Sequence, residues 1–286
     1  MPDLRDILRV RPDTRLAEID PRGTPGLPGG KTVGKDPKRW SKTEVAAISQ
    51  ELAGYQERMF ASAKEGATDK RVLLLLQAMD CGGKDGTVRN VTQGMSPAGM
   101  TAVSFGPPSE EERRHDFLWR VRRALPAPGY VGIFNRSQYE DVLIVRVHDL
   151  VGEDVWSQRY DAINEFEAEQ AAGGLTMVKV MLHISKGEQK QRLLDRLDDP
   201  AKNWKYNPGD LTERARWDDY QQAYQDALTR CSTAAAPWHV VPADRKWYRN
   251  WAVATLLRET FADLDPRYPA PDFDVDAERA KLLAAG

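Results

Sequence analysis

The stretch RVLLLLQAMDCGGKDGTVRNVT, residues 71–92, decides the fold of this chain. It opens with an apolar run at residues 72–76, which is too short for a separate helix and long enough for a buried parallel strand. The run breaks at Gly82 and Gly83, for which we expect backbone angles that other residues rarely adopt, and Lys84 then begins a helix. A strand, a glycine turn and a helix in this order predict a loop whose N–H groups, helix N-terminus and lysine together bind an anion.

This loop departs from the phosphate-loop pattern G-x-x-x-x-G-K-[ST] at two positions. Ala78 stands where the first glycine is expected, and Asp85 replaces the hydroxyl residue. Asp80 adds a carboxylate, which would repel a bound phosphate unless a cation lay between the two. We therefore predict that Asp80 binds Mg²⁺, directly or through water, and that Asp85 is a weaker substitute for the missing hydroxyl. The alternative is a plain glycine turn with Lys84 exposed to solvent.

The composition of the 286-residue chain is typical of a soluble globular protein with one large or two small α/β domains. Its net charge of −2 argues against nucleic-acid binding by overall charge, so a polyanionic partner must be held by local basic clusters. Cys81 and Cys231 form no metal-type pair, which favours a reducing compartment. Because residues 1–10 are unlike a signal peptide and no apolar run approaches ~20 residues, we expect a cytoplasmic protein with no membrane partner.

Strand and helix patterns alternate along the chain. Residues 1–40 are rich in proline and glycine and predict an extended arm that packs on its own core or on a neighbouring subunit. Capping boxes predict helix starts at Ser41 and Ser109, and Ser185 is expected to cap a third helix. The predicted strands are 72–76, 100–105, 130–135, 176–184 and 238–241, and further helices are expected near 84–93, 155–173, 211–230 and 244–264. Such alternation predicts an α/β fold with a parallel sheet, helices on both faces, and ligands bound beyond the carboxyl ends of the strands.

The third predicted strand ends at Asn135, where a P-loop protein would carry its acidic Walker B residue. An amide orients water or a phosphate oxygen but brings no charge, which leaves metal binding to Asp80 and to Glu140 or Asp141. Arg136 presents a planar guanidinium group suited to phosphate oxygens. The alternative is that Asn135 caps a helix and that Arg136 forms a surface ion pair.

Basic residues gather in two clusters. The first is mixed with acidic residues, as on a solvated helix face, and comprises Arg113, Arg114, Arg120, Arg122 and Arg123. The second runs from the helix after the fourth strand into a polar loop and comprises Lys186, Lys190, Arg192, Arg196, Lys202 and Lys205. Arg192 and Arg196 share a helix face, and Lys202 and Lys205 follow on a hinge-like segment, which is typical of a lid that closes over phosphates.

Three segments resemble the Walker A, Walker B and lid motifs of the family-2 polyphosphate kinases. They are MDCGGKDGTVRNV (79–91), IFNRSQYEDVLIVRVH (133–148) and HISKGEQKQRLLDRLDDPAKNWKYNPGDLTERARWDDY (183–220). The similarity extends from about residue 30 to 265. It implies a P-loop kinase-like three-layer sandwich with a five-stranded parallel sheet and a helical lid. It also implies phosphoryl transfer between inorganic polyphosphate and nucleotides with Mg²⁺, or with Mn²⁺ as a substitute.

The resemblance also implies an organisation and a set of site residues. Residues 41–265 would form the phosphotransferase domain, with the lid at about 186–225 and a tail at 266–286. The catalytic residues would be Asp80, Lys84, Arg136, Glu140 and Asp141, with Asp80 as the metal residue. Gly82, Gly83, Lys84, Asp85, Asn135 and Arg136 would bind phosphate and nucleotide. Arg192, Arg196, Lys202 and Lys205 would guide the polymer.

We therefore expect a cytoplasmic homo-oligomer, dimer or tetramer, that reversibly converts AMP and ADP to ADP and ATP, and GDP to GTP. Asn135, Glu140 and Asp141 resemble the one-domain branch of the family that accepts AMP as well as ADP. A phosphate acceptor is already anionic, so a site rich in cations and poor in histidine suits this chemistry. The alternatives are an ATP-dependent nucleoside monophosphate kinase and a non-enzymatic P-loop nucleotide-binding protein.

Overall fold

Five strands form one parallel sheet at the centre of the computed structural model, which describes residues 3–285. They are β1 (Arg71–Gln77), β2 (Met100–Ser104), β3 (Val131–Asn135), β4 (Leu175–His183) and β5 (Trp238–Pro242), and they lie in the order β2-β3-β1-β4-β5. The central strand β1 pairs with β3 and β4, and its residues 72–76 are fully buried because helices cover both faces of the sheet. The predicted five-stranded parallel α/β fold is confirmed.

Twelve α-helices surround the sheet within residues 3–285. They are α1 (Leu4–Leu8), α2 (Gly30–Val33), α3 (Pro37–Lys64), α4 (Lys84–Val91), α5 (Trp119–Ala124), α6 (Ile144–Val147), α7 (Glu153–Ala172), α8 (Lys186–Asp198), α9 (Gly209–Ala215), α10 (Trp217–Arg230), α11 (Lys246–Leu264) and α12 (Val275–Ala284). Helices α3, α4 and α11 pack together as one layer, and α6, α7 and α10 belong to the other. None of these described helices has the length and apolarity needed to cross a membrane.

The segment before α3 packs on the body of its own chain. Val10 N donates to Trp238 O at 2.8 Å and covers the edge of β5, while Asp244 N donates to Pro21 O at 3.1 Å. The predicted extended arm instead contains α1, α2 and a 3-10 turn, because apolar residues such as Leu8 are buried against the sheet layers. The predicted arm (1–40) and tail (266–286) include residues 1, 2 and 286, which lie outside the described residues.

Helix α3 begins four residues before the predicted start at Ser41. Asp36 is its N-cap and accepts a hydrogen bond from Arg39 N at 3.0 Å. Ser41 lies inside the helix, where its buried Oγ donates to Trp247 O at 2.7 Å. The predicted capping box at Ser41 is therefore wrong, because this hydroxyl bonds to another helix instead of to its own.

The other two capping predictions are met to different degrees. Ser109 and Glu112 exchange the expected hydrogen bonds, at 2.7 and 3.2 Å, but a single 3-10 turn follows and α5 begins only at Trp119. Ser185 Oγ accepts from Glu188 N at 3.0 Å and caps α8 as predicted. At Ser109 and Ser185 the pattern marks a local turn, whereas its continuation as a helix depends on packing.

Candidate active site

The loop between β1 and α4 curls as an anion cradle requires. Gly83 is the N-cap of α4 and has a φ of +97°, as predicted. The expected unusual backbone angle at Gly82 is wrong, because Cys81 takes the positive φ (+64°) instead. Gly82 is required for a different reason: a Cβ there would overlap the Cβ of Ala78 and lie 2.9 Å from Met79 O. A small residue at position 78 therefore replaces the missing first glycine of the motif.

Lys84 lies within this loop. Its Nζ donates to Ala78 O at 3.1 Å, so the ammonium group holds the two ends of the loop together. Burial lowers the pKa of Lys84, as does the charge of Arg136, while Asp80 and Glu140 oppose this shift. The half-buried ammonium group of Lys84 thus presents a cation to the cavity, with Asp80, Glu140 and Asp85 as its compensating charges.

The end of β3 contacts the loop at two points. Arg136 Nη2 lies 3.4 Å from Asp80 Oδ1, and Asn135 Nδ2 donates to Asp85 Oδ1 at 2.9 Å. Arg136 has a φ of +68°, which is unfavourable for a residue with a side chain, and its N–H donates to Leu76 O at 3.0 Å. This strained turn directs the guanidinium group of Arg136 toward the phosphate loop.

A cavity of about 530 Å³ opens at this edge of the sheet, between the loop and α8. We call it the first cavity. Three acidic side chains line it, Asp80, Asp85 and Asp195, against seven basic ones, Lys84, Arg136, Arg192, Arg196, Lys202, Lys205 and Lys246. This positive excess favours a polyanionic ligand, even though the whole chain carries a charge of −2.

A second cavity of about 230 Å³ shares Asp80 and Arg136 with the first but differs from it in chemistry. Its other lining residues include Glu140, Leu143, Ile144, Asn207, Asp210, Glu213, Tyr220 and Tyr224. Burial raises the pKa of Glu140, while the charges of Arg136 and Lys84 lower it. The second cavity is therefore acidic and partly aromatic, and Arg136 stands where the two cavities meet.

Comparison with known proteins agrees with this geometry. Residues 36–268 match the family model described as Polyphosphate kinase 2 (PPK2). This chain belongs to the polyphosphate kinase 2 family. The resemblance found in the three motifs is thereby confirmed.

Two curated relatives and one crystal structure illustrate the similarity to other polyphosphate kinase 2 proteins. The AMP/ADP-polyphosphate phosphotransferase of Meiothermus ruber is 47% identical over 266 residues, which cover 92% of this chain and 95% of the relative. The ADP-polyphosphate phosphotransferase of Rhodopseudomonas palustris is 43% identical over 246 residues, 82% of each chain. The crystal structure of polyphosphate kinase 2 from Arthrobacter aurescens TC1 superposes with a TM-score of 0.94 at 49% identity, covering 99% of this chain and 97% of that one.

Most of the site residues predicted for this polyphosphate kinase 2 chain line one of the two cavities, but Asp141 lines neither. Its carboxylate lies 2.9 Å from Arg159 Nη1 and 3.9 Å from Arg120 Nη2. Burial raises the pKa of Asp141, and the two arginines oppose that shift. Asp141 therefore forms a structural ion pair that fixes the turn after Glu140. It does not line the cavities in which phosphate would bind.

Arg192 does not have the setting expected of a mobile lid residue. Only 7% of it is exposed, and its guanidinium group donates to Glu188 Oε1, to Cys81 O at 2.8 Å and to Ala243 O at 2.6 Å. Arg192 thus joins the phosphate loop to the chain that follows β5. It forms a wall of the first cavity whose position is fixed by these bonds.

The remaining predicted polymer-binding residues lie in the last turn of α8 and in the segment between α8 and α10. Arg196 Nη1 lies 3.1 Å from Asp210 Oδ2, and Lys205 Nζ lies 3.9 Å from Asp85 Oδ2. Lys202 pairs with the exposed Asp199 at 2.6 Å. Lys205 thus reaches across the first cavity to the start of α4, so this segment covers the cavity from above.

Arg249 on α11 is a residue that the sequence did not single out. It is 4% exposed, and a Cβ at Gly83 would overlap its guanidinium group. Its Nε and Nη2 donate to the neutral Asn250 Oδ1, and among residues 3–285 no carboxylate lies within 4 Å of it. Burial, together with Arg192, lowers the pKa of Arg249 to about 10. No sequence signal marks it, because its position behind the loop follows from the packing of α11 on α4.

The acidic groups of the site suit a cation that is held largely by substrate. Within the described part of the chain, no group of three or more His, Cys, Asp or Glu side chains could hold a metal ion by itself. Mg²⁺ in kinase sites is bound by one or two carboxylates, by waters and by phosphate oxygens. Asp80, which lines both cavities, fits that arrangement.

Proposed function

We propose that this chain transfers phosphoryl groups between inorganic polyphosphate and the nucleotides AMP and ADP. The observation that carries the proposal is the position of Arg136, between a basic cavity at a phosphate loop and an acidic, partly aromatic cavity. The Meiothermus ruber relative is an AMP/ADP-polyphosphate phosphotransferase and the Rhodopseudomonas palustris relative an ADP-polyphosphate phosphotransferase.

We infer that polyphosphate occupies the first cavity. The loop N–H groups, the N-terminus of α4 and Lys84 would hold its terminal phosphates. The acceptor nucleotide would enter the second cavity, where Tyr220 and Tyr224 offer ring surfaces to the base. Glu140 and Asp210 would accept hydrogen bonds from its hydroxyl and amino groups.

In this arrangement Arg136 neutralises charge on both sides of the transferred group. The attacking oxygen belongs to an anionic phosphate, so no strong base is required and positioning carries the reaction. Asp80 would hold Mg²⁺, which supplies charge neutralisation to the phosphate oxygens. Each fixed hydrogen-bond donor that faces the charge developing in the transition state lowers the activation free energy by about 3 kcal/mol.

An assay with polyphosphate as the sole donor tests the proposal. AMP, ADP and GDP are supplied in turn, and the products are separated by chromatography. We expect ADP and ATP from the adenine nucleotides, and GTP from GDP at a lower rate. No transfer from polyphosphate, together with transfer from ATP to AMP, would establish the ATP-dependent nucleoside monophosphate kinase instead. Tight nucleotide binding without turnover from either donor would favour a non-enzymatic binding protein.

The metal proposal is tested through Asp80. Chelation by EDTA should abolish transfer, and Mg²⁺ or Mn²⁺ should restore it. The substitution Asp80→Asn should raise the Mg²⁺ concentration for half-maximal activity about tenfold or more, because one ligand loses its charge. Asp195→Asn is the matched control, because Asp195 lines the same cavity from α8 instead of from the loop. Equal Mg²⁺ dependence in the two variants would contradict the assignment.

We further propose a cytoplasmic homo-oligomer, dimer or tetramer. Both cysteines are free thiols, which suits a reducing compartment. The apolar side chains of Leu282 and Leu283 on α12 are exposed in the single chain, as on a surface that a second copy covers. Light scattering coupled to size exclusion would give the number of subunits, and a monomeric mass would contradict the proposal.

A further inference from the structure

A cluster of unpaired basic residues lies outside both cavities. Lys31, Lys35, Lys38, Arg39 and Lys42 are all exposed, and we call them the N-terminal basic patch. Within residues 3–285, none of these five side chains forms an ion pair or donates a hydrogen bond. Of the acidic residues nearest in sequence, Asp36 lies within the patch as the N-cap of α3, and Glu44 lies 3.5 Å from Arg258. The patch therefore presents five basic side chains against one carboxylate.

The patch lies at the same edge of the sheet as the first cavity. Ser41 Oγ, between Arg39 and Lys42, donates to Trp247 O at 2.7 Å. Trp247 directly follows Lys246, which lines the first cavity. The first turns of α3 are thus joined to the rim of the cavity through the start of α11.

The direction of α3 places its N-terminus at the edge of the sheet that holds the first cavity. At its other end, Gln56 Nε2 donates to Ser96 O at 2.7 Å, just before β2, so that end lies at the opposite edge of the sheet. Ser49 Oγ donates to Asn90 O on α4 at 3.2 Å. From this contact α3 extends about 18 Å to its start, whereas α4 extends about 9 Å to Lys84. The start of α3 is thus farther from this contact, measured along its own helix, than Lys84 is along α4.

We infer that the N-terminal basic patch binds the part of a long polyphosphate chain that extends out of the first cavity. This inference rests on the proposed function and adds a second binding region to it. Unpaired ammonium groups in solvent suit a flexible polyanion. A short chain that ends inside the cavity would not reach them.

Single-stranded nucleic acid fits the patch less well. Proteins that bind single strands place aromatic side chains among the basic ones, so that bases stack on them. The one aromatic ring within the patch belongs to Trp40, and it packs on Trp251 with ring centroids 5.7 Å apart. This surface therefore suits a polyanion that carries charge but no bases.

The test compares two variants that each lose three positive charges. The patch variant carries Lys35→Gln, Lys38→Gln and Lys42→Gln. The control carries Lys64→Gln, Arg267→Gln and Lys281→Gln, which are exposed and distant from the patch in sequence; Lys64 is at the opposite end of α3. The readouts are KM for long-chain polyphosphate with AMP as acceptor, and the Kd of tripolyphosphate from calorimetry.

We expect the patch variant to raise KM for long-chain polyphosphate about fivefold, with the Kd of tripolyphosphate changed less than about twofold. The control should match the wild type. An equal KM in patch and control variants would overturn the inference, as would an equal loss for short and long chains. A patch-dependent affinity for single-stranded RNA that matches the affinity for long polyphosphate would also overturn it. Wild-type protein that transfers nothing from polyphosphate would instead refute the proposed function itself.

Discussion

Lys84 combines two roles in one side chain. It closes the phosphate loop by donating to Ala78 O, and its ammonium group also lines the first cavity. A phosphate in the cradle would therefore meet the same group that holds the loop closed. Binding and loop closure are therefore coupled at this residue.

We predict that Lys84→Ala lowers kcat/KM about a hundredfold or more, which corresponds to ~3 kcal/mol of transition-state stabilisation. The reason is the loss of a half-buried positive charge beside the transferred group. Steady-state kinetics with polyphosphate and ADP measure the effect. Lys190→Ala on the exposed side of α8 removes the same charge from the surface and should retain normal rates. Comparable rates in the two variants would refute the role of Lys84.

Arg249 places a buried charge behind the loop, with a neutral amide as its partner. A buried charge without a counter-ion destabilises the free protein, whereas a bound polyanion compensates it. Removing the charge of Arg249 should therefore stabilise the free protein and weaken the binding of polyphosphate. That opposition separates an electrostatic role from a purely structural one.

We predict that Arg249→Gln leaves the melting temperature of the free protein equal or higher, yet raises KM for polyphosphate about tenfold, ~1.4 kcal/mol. Thermal shift with and without tripolyphosphate measures both effects. Arg249→Lys should recover part of the affinity. Arg258→Gln, on the same helix and paired with Glu44 at the surface, is the control. A free protein that melts lower, with unchanged KM, would assign Arg249 to packing alone.

At the scale of elements, a buried polar network holds the 3-10 turn Gln138–Val142 that follows β3 and carries Glu140. Lys179 on β4 donates to Glu167 on α7, to Tyr139 Oη at 2.7 Å and to Cys231 O at 2.7 Å. Lys179 and Glu167 have no solvent exposure. The network links the sheet, a helix and the site turn, so the position of Glu140 depends on the core.

We predict that Lys179→Met destabilises the protein by about 3–5 kcal/mol, because Glu167 is left as an unpaired buried acid. The double substitution Lys179→Met and Glu167→Leu should recover much of this loss. Urea unfolding of the wild type, both single variants and the double variant gives the coupling energy. Additive effects would mean that the two side chains do not act as a pair.

The sequence predicted those elements that local pattern controls. The phosphate loop, the order of the strands along the chain and the Ser185 cap each depend on a few neighbouring residues, and all three are present. The predicted helix over 211–230 is instead divided at Arg216, whose Nη1 donates to Val147 O at the end of α6. That break comes from a tertiary contact, for which the residues around Arg216 carry no pattern.

The same distinction applies to the site. Asp80, Lys84 and Arg136 follow strand ends, and parallel strands bring their carboxyl ends together, so their proximity could be inferred. Arg249 and the fixed position of Arg192 could not, because each depends on how a distant helix packs against the loop. Motif spacing thus gives the chemistry of the site, while packing decides which charges remain unpaired.

At the scale of the whole molecule, charge is unevenly distributed. The chain carries −2 overall, yet the edge that holds the first cavity has an excess of positive side chains. Such a distribution attracts a highly charged substrate through long-range forces, which salt screens with a Debye length of about 10 Å at 0.1 M.

We predict that raising the salt concentration from about 0.05 to 0.5 M increases KM for long-chain polyphosphate several-fold more than KM for AMP. The reason is that the polymer meets many basic groups, whereas the nucleotide enters a cavity with acidic walls. Kinetics at a series of salt concentrations measure both constants. Parallel changes in the two would indicate that salt acts on the protein instead of on polymer capture.

The contact between Val10 and Trp238 has a consequence for biosynthesis. The residues that cover the outer strand are synthesised before any strand of the sheet, whereas the strand that they cover is the last of the five to be made. Until that strand emerges, the segment around Val10 has no site to dock on, and β4 keeps an unpaired edge. The nascent chain is therefore prone to aggregate in that interval, and a chaperone that binds the segment around Val10 would act there.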